Sequence, residues 1–92
     1  MIVSFRCADT EALFITGVNR RWQSVHKPVT RKLMMLHAAA ELRDLCSPPG
    51  NRLEALSGNR AGQHSIRIND QWRICFVWTN AGPEDVEIVD YH

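Results

Sequence analysis

No stretch of this chain approaches the ~20 consecutive apolar residues that a membrane span needs, so no helical anchor and no membrane partner are expected. Residues 1–6 place no basic segment ahead of a long apolar run. No secretory leader is read there, and the expected compartment is the cytosol. Cysteine is scarce. Cys7, Cys46 and Cys75 are widely spaced, odd in number and without a C-x-x-C pair, which argues against a disulfide framework and against a zinc site. Neither metal nor cofactor is expected. Repeats and low-complexity tracts are missing as well. So is a strong charge imbalance: the formal net charge is only +1, which excludes gripping free nucleic acid by charge alone.

The charge that is present is uneven. Arg6, Arg20, Arg21, Lys27, Arg31, Lys32 and Arg43 outnumber Asp9, Glu11, Glu41 and Asp44 in the first half, while acids prevail in the second. A nucleic-acid role would need a local basic surface and a larger partner to present the substrate. With 92 residues, the chain reads as one domain, 1–92, that can bury roughly two thirds of its unfolded surface.

Residues 1–6 read as a short strand through Ile2, Val3 and Phe5. Asp9 or Thr10 can cap a helix over residues 11–15 that Gly17 ends. Asn19, Arg20, Arg21 and Trp22 form a basic connector. A longer helix is expected over residues 28–46. Pro28 stands in its first turn, Val29, Leu33, Leu36 and Ala40 form one apolar stripe, and Arg31, Lys32, Glu41 and Arg43 face water. Ser47-Pro48-Pro49-Gly50-Asn51 stops it. The pattern then changes to strands: a short one over 53–56, a loop over 58–62, and strands over 63–68, 72–78 and 86–91, with a turn at Ala81-Gly82-Pro83. Helices first and an antiparallel meander after give an α+β fold, two N-terminal helices packed on one face of a small, mainly antiparallel sheet.

Register decides which side chains meet. A three-residue loop, Asn69-Asp70-Gln71, pairs Ile66 with Ile74, Arg67 with Arg73 and Ile68 with Trp72. One face then carries Ile66, Ile68, Trp72, Ile74 and Phe76, and the other Gln63, Ser65, Arg67, Arg73 and Cys75. A two-residue turn mixes charge and bulk on both faces, so burial selects the first register. Two arginines become cross-strand neighbours on the face away from the helices. Like charges placed so are mildly destabilising, which is easier to explain if an anion sits between them; two solvated arginines are the plainer alternative. The chain closes on Asp90, Tyr91 and His92, three proton-active groups at one end of the sheet. In a regular strand Asp90 and His92 share a face and Tyr91 takes the other.

Residues 48–56, 58–63, 65–78 and 87–92 resemble the HigB toxins, the host-inhibition-of-growth branch of the RelE-like family. They include Pro48-Pro49-Gly50-Asn51-Arg52-Leu53-Glu54, Trp72-Arg73-Ile74 and Asp90-Tyr91-His92. Ser4-Phe5-Arg6-Cys7, Glu11-Ala12-Leu13-Phe14 and Arg31-Lys32-Leu33 fit as well. The resemblance implies a RelE/ParE-type fold and a ribosome-dependent endoribonuclease that cuts mRNA in the A site without metal. It also implies a HigA-like helix-turn-helix antitoxin, through which alone operator DNA is met. Arg73, Asp90, Tyr91 and His92 carry over as site residues, and Arg67 matches a neighbouring-strand arginine. The sequence departs from some relatives at Glu54, where they have histidine, at Ser57, where they have lysine, and at His64, where they have an aromatic residue.

The implied reaction is attack of a 2′-OH on the adjacent phosphorus, leaving a cyclic phosphate and a 5′-OH. It needs a base, an acid and a cation for the phosphorane. Arg73 with Arg67 suits the cation role, and His92 suits the acid or base role. Asp90 would orient His92, Glu54 is the alternative base, and Tyr91 would stack on a base or orient the 2′-OH. Arg20, Arg21, Lys27, Arg31 and Lys32 are the expected grip on ribosomal RNA, with Arg60 and His64 contributing to RNA contact. His26 and His37 are assigned no role. The rival readings are a ParE-like toxin acting on DNA gyrase, which would not need Asp90-Tyr91-His92, and a non-catalytic module docking an acidic partner through Arg67 and Arg73.

Overall fold

The computed structural model describes residues 1–90; Tyr91 and His92 lie outside the described residues. Helix α1 (Ala8–Thr16) leads through a 3₁₀ connector (Arg20–Val25) to α2 (His26–Ala38). Four strands follow, β1 (Glu54–Ala55), β2 (His64–Arg67), β3 (Trp72–Thr79) and β4 (Gly82–Asp90), antiparallel and in that order across one sheet. The helices cover one face. Leu13, Trp22, Val29, Leu33 and Leu36 pack there on Ile66, Ile74, Phe76, Val86 and Ile88. The α+β expectation stands.

Gly17 ends α1 as its left-handed cap, with φ 78° and its N–H on the Leu13 carbonyl at 2.8 Å. The expected side-chain cap is not formed. Cys7 holds the N-cap position, and Thr10 is instead fully buried, its hydroxyl accepting from the Ile88 N–H at 3.2 Å. That bond ties α1 to β4.

Helix α2 is shorter than its sequence pattern. It stops at Ala38, Ala39 is extended, and Ala40 is exposed rather than part of the stripe. The reason is local. The Asp44 carboxylate accepts from the Ala40 and Glu41 N–H groups at 3.0 and 2.9 Å and closes a capping box with Glu41, which starts a separate 3₁₀ turn over Leu42–Cys46. Lys32 does not face water: only 9% of it is exposed.

Residues 1–6 do not form a full strand. They run beside β4 with a single parallel bridge, Phe5 to Val86, and three hydrogen bonds from Val3, to Ser4 and from Arg6. The β3–β4 register shifts between Cys75 and Val77, where β4 bulges opposite Phe76. Asp85 sits there at φ 52°, and its N–H is taken by the Ser4 hydroxyl at 3.0 Å. Strand β4 starts four residues earlier than expected, after a tight turn at Asn80-Ala81. Pro83 is tolerated because its outer neighbour needs only a carbonyl, which accepts the Val3 N–H at 2.7 Å. Gly82 is required: a Cβ there would lie 2.2 Å from the Met1 carbonyl oxygen, at φ +129°.

The β2–β3 register is the expected one, Ile66 opposite Ile74 and Arg67 opposite Arg73. Asn69 fixes the loop by accepting the Gln71 and Trp72 N–H groups at 2.9 and 2.8 Å.

Candidate active site

The sheet face away from the helices is not the open surface that alternation suggests. Ser65, Arg73 and Cys75 are all buried there. Arg73 is 7% exposed, and its guanidinium is held from two elements. Nε donates to the Ser65 hydroxyl at 2.9 Å, and Nη2 donates to the Arg52 carbonyl at 2.7 Å and more loosely to the Ser65 carbonyl at 3.4 Å. Arg52 aims that carbonyl from the left-handed region, φ 45°, immediately after a short 3₁₀ turn (Pro49–Asn51). The Glu54 carboxylate stands 3.8 Å from Arg73 and is half exposed. A guanidinium fixed this way is a preorganised positive charge beside a carboxylate that solvent and substrate can reach.

Arg67 and Arg73 are paired by backbone register, but their guanidinium groups are not paired. Arg67 turns to Asp70 in the hairpin loop, Arg73 to Ser65 and Arg52. The expected anion cradle between them is therefore not preformed. The Arg67–Asp70 link joins residues three apart, and Asp70 is fully exposed. Such a pair contributes little and can exchange Asp70 for a phosphate.

Glu87 lies opposite Cys75 and pairs with Arg60 at 2.9 Å, while Arg60 also donates to Gln63 at 3.0 Å. Arg60, with a third of its side chain exposed, is thus tied to the site face by Glu87 and Gln63. Burial pushes the Cys75 thiol up, with Glu87 adding to the shift while Arg60 and Arg73 oppose it. His64 departs further from expectation. It pairs with Phe76 across the strands and stacks on that ring at 6.3 Å, on the helix side of the sheet.

Asp90 is opposite Trp72, so register places it one residue out of phase with Arg73, which faces Val89. Its carboxylate accepts from the Gln71 amide at 3.1 Å. Tyr91 and His92, the other expected site residues of this strand end, lie outside the described residues.

The basic residues of the helical half divide. Arg20, Arg21, Lys27 and Arg31 are exposed. Arg20 lines an open groove of about 650 Å³ with Val18, Asn19, Gln23 and His26; none of the Arg73 cluster lines it. Arg21 lies over the rings of Trp22 and Trp72, 4.9 and 5.8 Å from their centroids. Lys32 is the exception: its ammonium is buried and donates to Asn51 Oδ1 at 2.5 Å. His37, given no role by the sequence, accepts the Ile2 N–H at 3.1 Å and packs against Phe14 with the rings tilted by 52°.

Sequence reasoning missed Ser65 as a partner, the Arg52 carbonyl and Asn51. A signal existed for Lys32: with Val29, Leu33 and Leu36 it completes the i, i+3, i+4, i+7 stripe of a buried helix face. Among the described residues no helix is long and apolar enough to cross a membrane.

Known proteins give the class first. A chain of the YoeB–YefM complex from Staphylococcus aureus superposes with a TM-score of 0.64, covering 100% of this chain and 98% of that one, at 16% identity. At that identity the likeness shows a shared fold. The model of the HigB-like toxins, described as the RelE-like toxin of type II toxin-antitoxin system HigB, matches residues 6–92, and the chain belongs to that family. "Endoribonuclease HigB" of Proteus vulgaris is 31% identical over 94 residues, covering 100% of both chains. "Toxin HigB-1" of Vibrio cholerae is 47% identical over 57 residues, 62% of this chain. The match spans 60% of that relative's length.

Proposed function

We propose that this chain is a ribosome-dependent endoribonuclease that cuts mRNA in the A site by metal-independent 2′-OH attack. The observation that carries the reading is Arg73: buried, held by Ser65 and the Arg52 carbonyl, and 3.8 Å from an accessible carboxylate, Glu54. Charge develops on the phosphorane oxygens in the transition state. Fixed donors aimed at such charge contribute about 3–4 kcal/mol each. Arg67, released from Asp70, supplies a second cation. His92 is the acid or base, oriented by Asp90, and Glu54 is the alternative base that takes the 2′-OH proton. Each positioned proton-transfer group contributes ~100- to 10,000-fold. Tyr91 stacks on a base or orients the 2′-OH.

The ribosome is needed for two reasons. A chain of net charge +1 grips RNA weakly, and the substrate must be bent toward in-line geometry, which the ribosome supplies. Arg20, Arg21, Lys27 and Arg31, all exposed, are the contacts to ribosomal RNA. A HigA-like helix-turn-helix antitoxin neutralises the toxin and is its route to operator DNA. The family's place in a type II toxin–antitoxin system supports such a partner. The expected compartment is the cytoplasm.

The test is cleavage of one message, free and bound to purified ribosomes, with analysis of the new ends. The expected products are a 2′,3′-cyclic phosphate and a 5′-OH, formed only on ribosomes. A 5′-phosphate with a 3′-OH, the ends left by metal-activated water, or intact mRNA together with trapped gyrase–DNA complexes, contradicts the proposal.

A further inference from the structure

Lys32 is hard to explain as packing. It replaces an apolar residue in the buried stripe of α2, at 9% exposure. Removing an ammonium from water is costly unless it is well compensated. Its surroundings are unfavourable as well: burial, then the nearby Arg31 and Arg67 guanidinium groups, hold its pKa below the ordinary lysine value. Against this stands a specific partner, the Asn51 side-chain oxygen at 2.5 Å.

Asn51 is fully buried and fully used. Its amide nitrogen donates to the Leu45 carbonyl at 3.1 Å and to the Ser47 carbonyl at 3.4 Å, with Met35 Sδ at 3.1 Å. Its backbone N–H donates to the Pro48 carbonyl at 2.9 Å. The next residue is Arg52, whose left-handed backbone turns its carbonyl onto Arg73 Nη2 at 2.7 Å. A continuous run of bonds therefore leads from the buried face of α2, through Asn51, to the arginine of the site.

We propose that Lys32 and Asn51 are positioning residues for catalysis: the Lys32–Asn51 bond fixes the 48–52 turn so that the Arg52 carbonyl orients the Arg73 guanidinium at the scissile phosphate. The inference rests on the phosphate role proposed for Arg73. Lys32 thus acts from behind the site and does not touch the RNA. A displacement of about 1 Å in such a group costs on the order of 100-fold in rate.

The experiment is a double-mutant cycle in single-turnover cleavage of ribosome-bound mRNA, comparing Lys32→Met, Arg73→Ala and the double variant. Lys32→Met is expected to slow cleavage ~10- to 100-fold at an unchanged half-saturating toxin concentration. Added to Arg73→Ala, it is expected to change the rate less than about twofold, because the group it positions is gone. Lys32→Arg, which keeps a donor at Asn51, is expected to recover most of the rate. Equal slowing by Lys32→Met in both backgrounds overturns the positioning role. Arg73→Ala as fast as wild type removes the catalytic reading itself, a different failure.

The geometry is read independently, without ribosomes, from the resonance of the Arg73 Nη2 protons of the full-length toxin, the group bonded to the Arg52 carbonyl. Lys32→Met is expected to shift that signal and speed its exchange with water; an unmoved signal in a folded variant overturns the inference. Should Lys32→Met not fold, Lys32→Gln, whose shorter amide withdraws from Asn51, is read in the same way.

Discussion

A guanidinium at 7% exposure needs acceptors, and Arg73 finds them on a neighbouring strand and on a loop. Glu54, by contrast, is half exposed, and among the described residues its carboxylate makes only the 3.8 Å approach to Arg73. It can therefore change without loss of the fold. Glu54→Gln keeps the size and removes the proton acceptor. If Glu54 is the base, single-turnover cleavage falls ~100-fold or more, while the urea midpoint shifts by no more than about 0.5 kcal/mol of stability. An unchanged rate assigns the base to His92.

Cys75 gives a pH prediction at the same scale. Burial raises its pKa, so the thiol stays protonated in the fold after the unfolded thiol has ionised. Its contribution is fully present below the ordinary value of 9.0 and is lost as pH rises from there through the raised folded value. Lys32 works in the opposite direction. Its folded pKa is lowered, so stability rises from that lowered value up to the ordinary 10.5. Cys75→Ala is expected to show less loss of stability above pH 9.0 than wild type, in chemical denaturation followed across pH. A parallel profile for the two proteins contradicts the assignment.

Among the elements, the β2–β3 hairpin decides which arginines share a face. Asn69 holds its loop by accepting two backbone N–H groups. Asn69→Ala is expected to cost about 1 kcal/mol and to speed amide exchange at Ile68, whose N–H is bonded to the Trp72 carbonyl at 2.9 Å. Unchanged exchange there means the register is held by the apolar face alone. That face made the hairpin legible in the sequence, since only one loop length buries Ile66, Ile68, Ile74 and Phe76 together. The end of α2 was not legible, because Glu41 and Asp44 read as exposed helix residues until their side chains are seen capping the next turn. Lys32 was hidden by its residue type although its spacing was correct. Asn51 carries no periodic signal, because its burial depends on a turn packing back on α2.

At the scale of the whole molecule, the two faces of the sheet do different work. One is closed by helices and holds the core, and the other is closed by the 48–54 segment and holds charge. Arg73 and Arg67 were legible as a pair on that second face, but the separate partners of their guanidinium groups were not, because short polar loops choose those partners. The N-terminal segment, Gly82 and the β4 bulge complete the far edge without a further strand. A net charge of +1 gives the molecule little long-range attraction for RNA by itself.

All of this converges on one guanidinium. The direct measurement is the single-turnover rate at which wild type and Arg73→Ala cut ribosome-bound mRNA, with binding to the ribosome followed in parallel. A fall of ~100- to 1,000-fold with ribosome binding retained is the predicted result. Cleavage at the wild-type rate by a folded Arg73→Ala toxin would contradict the account.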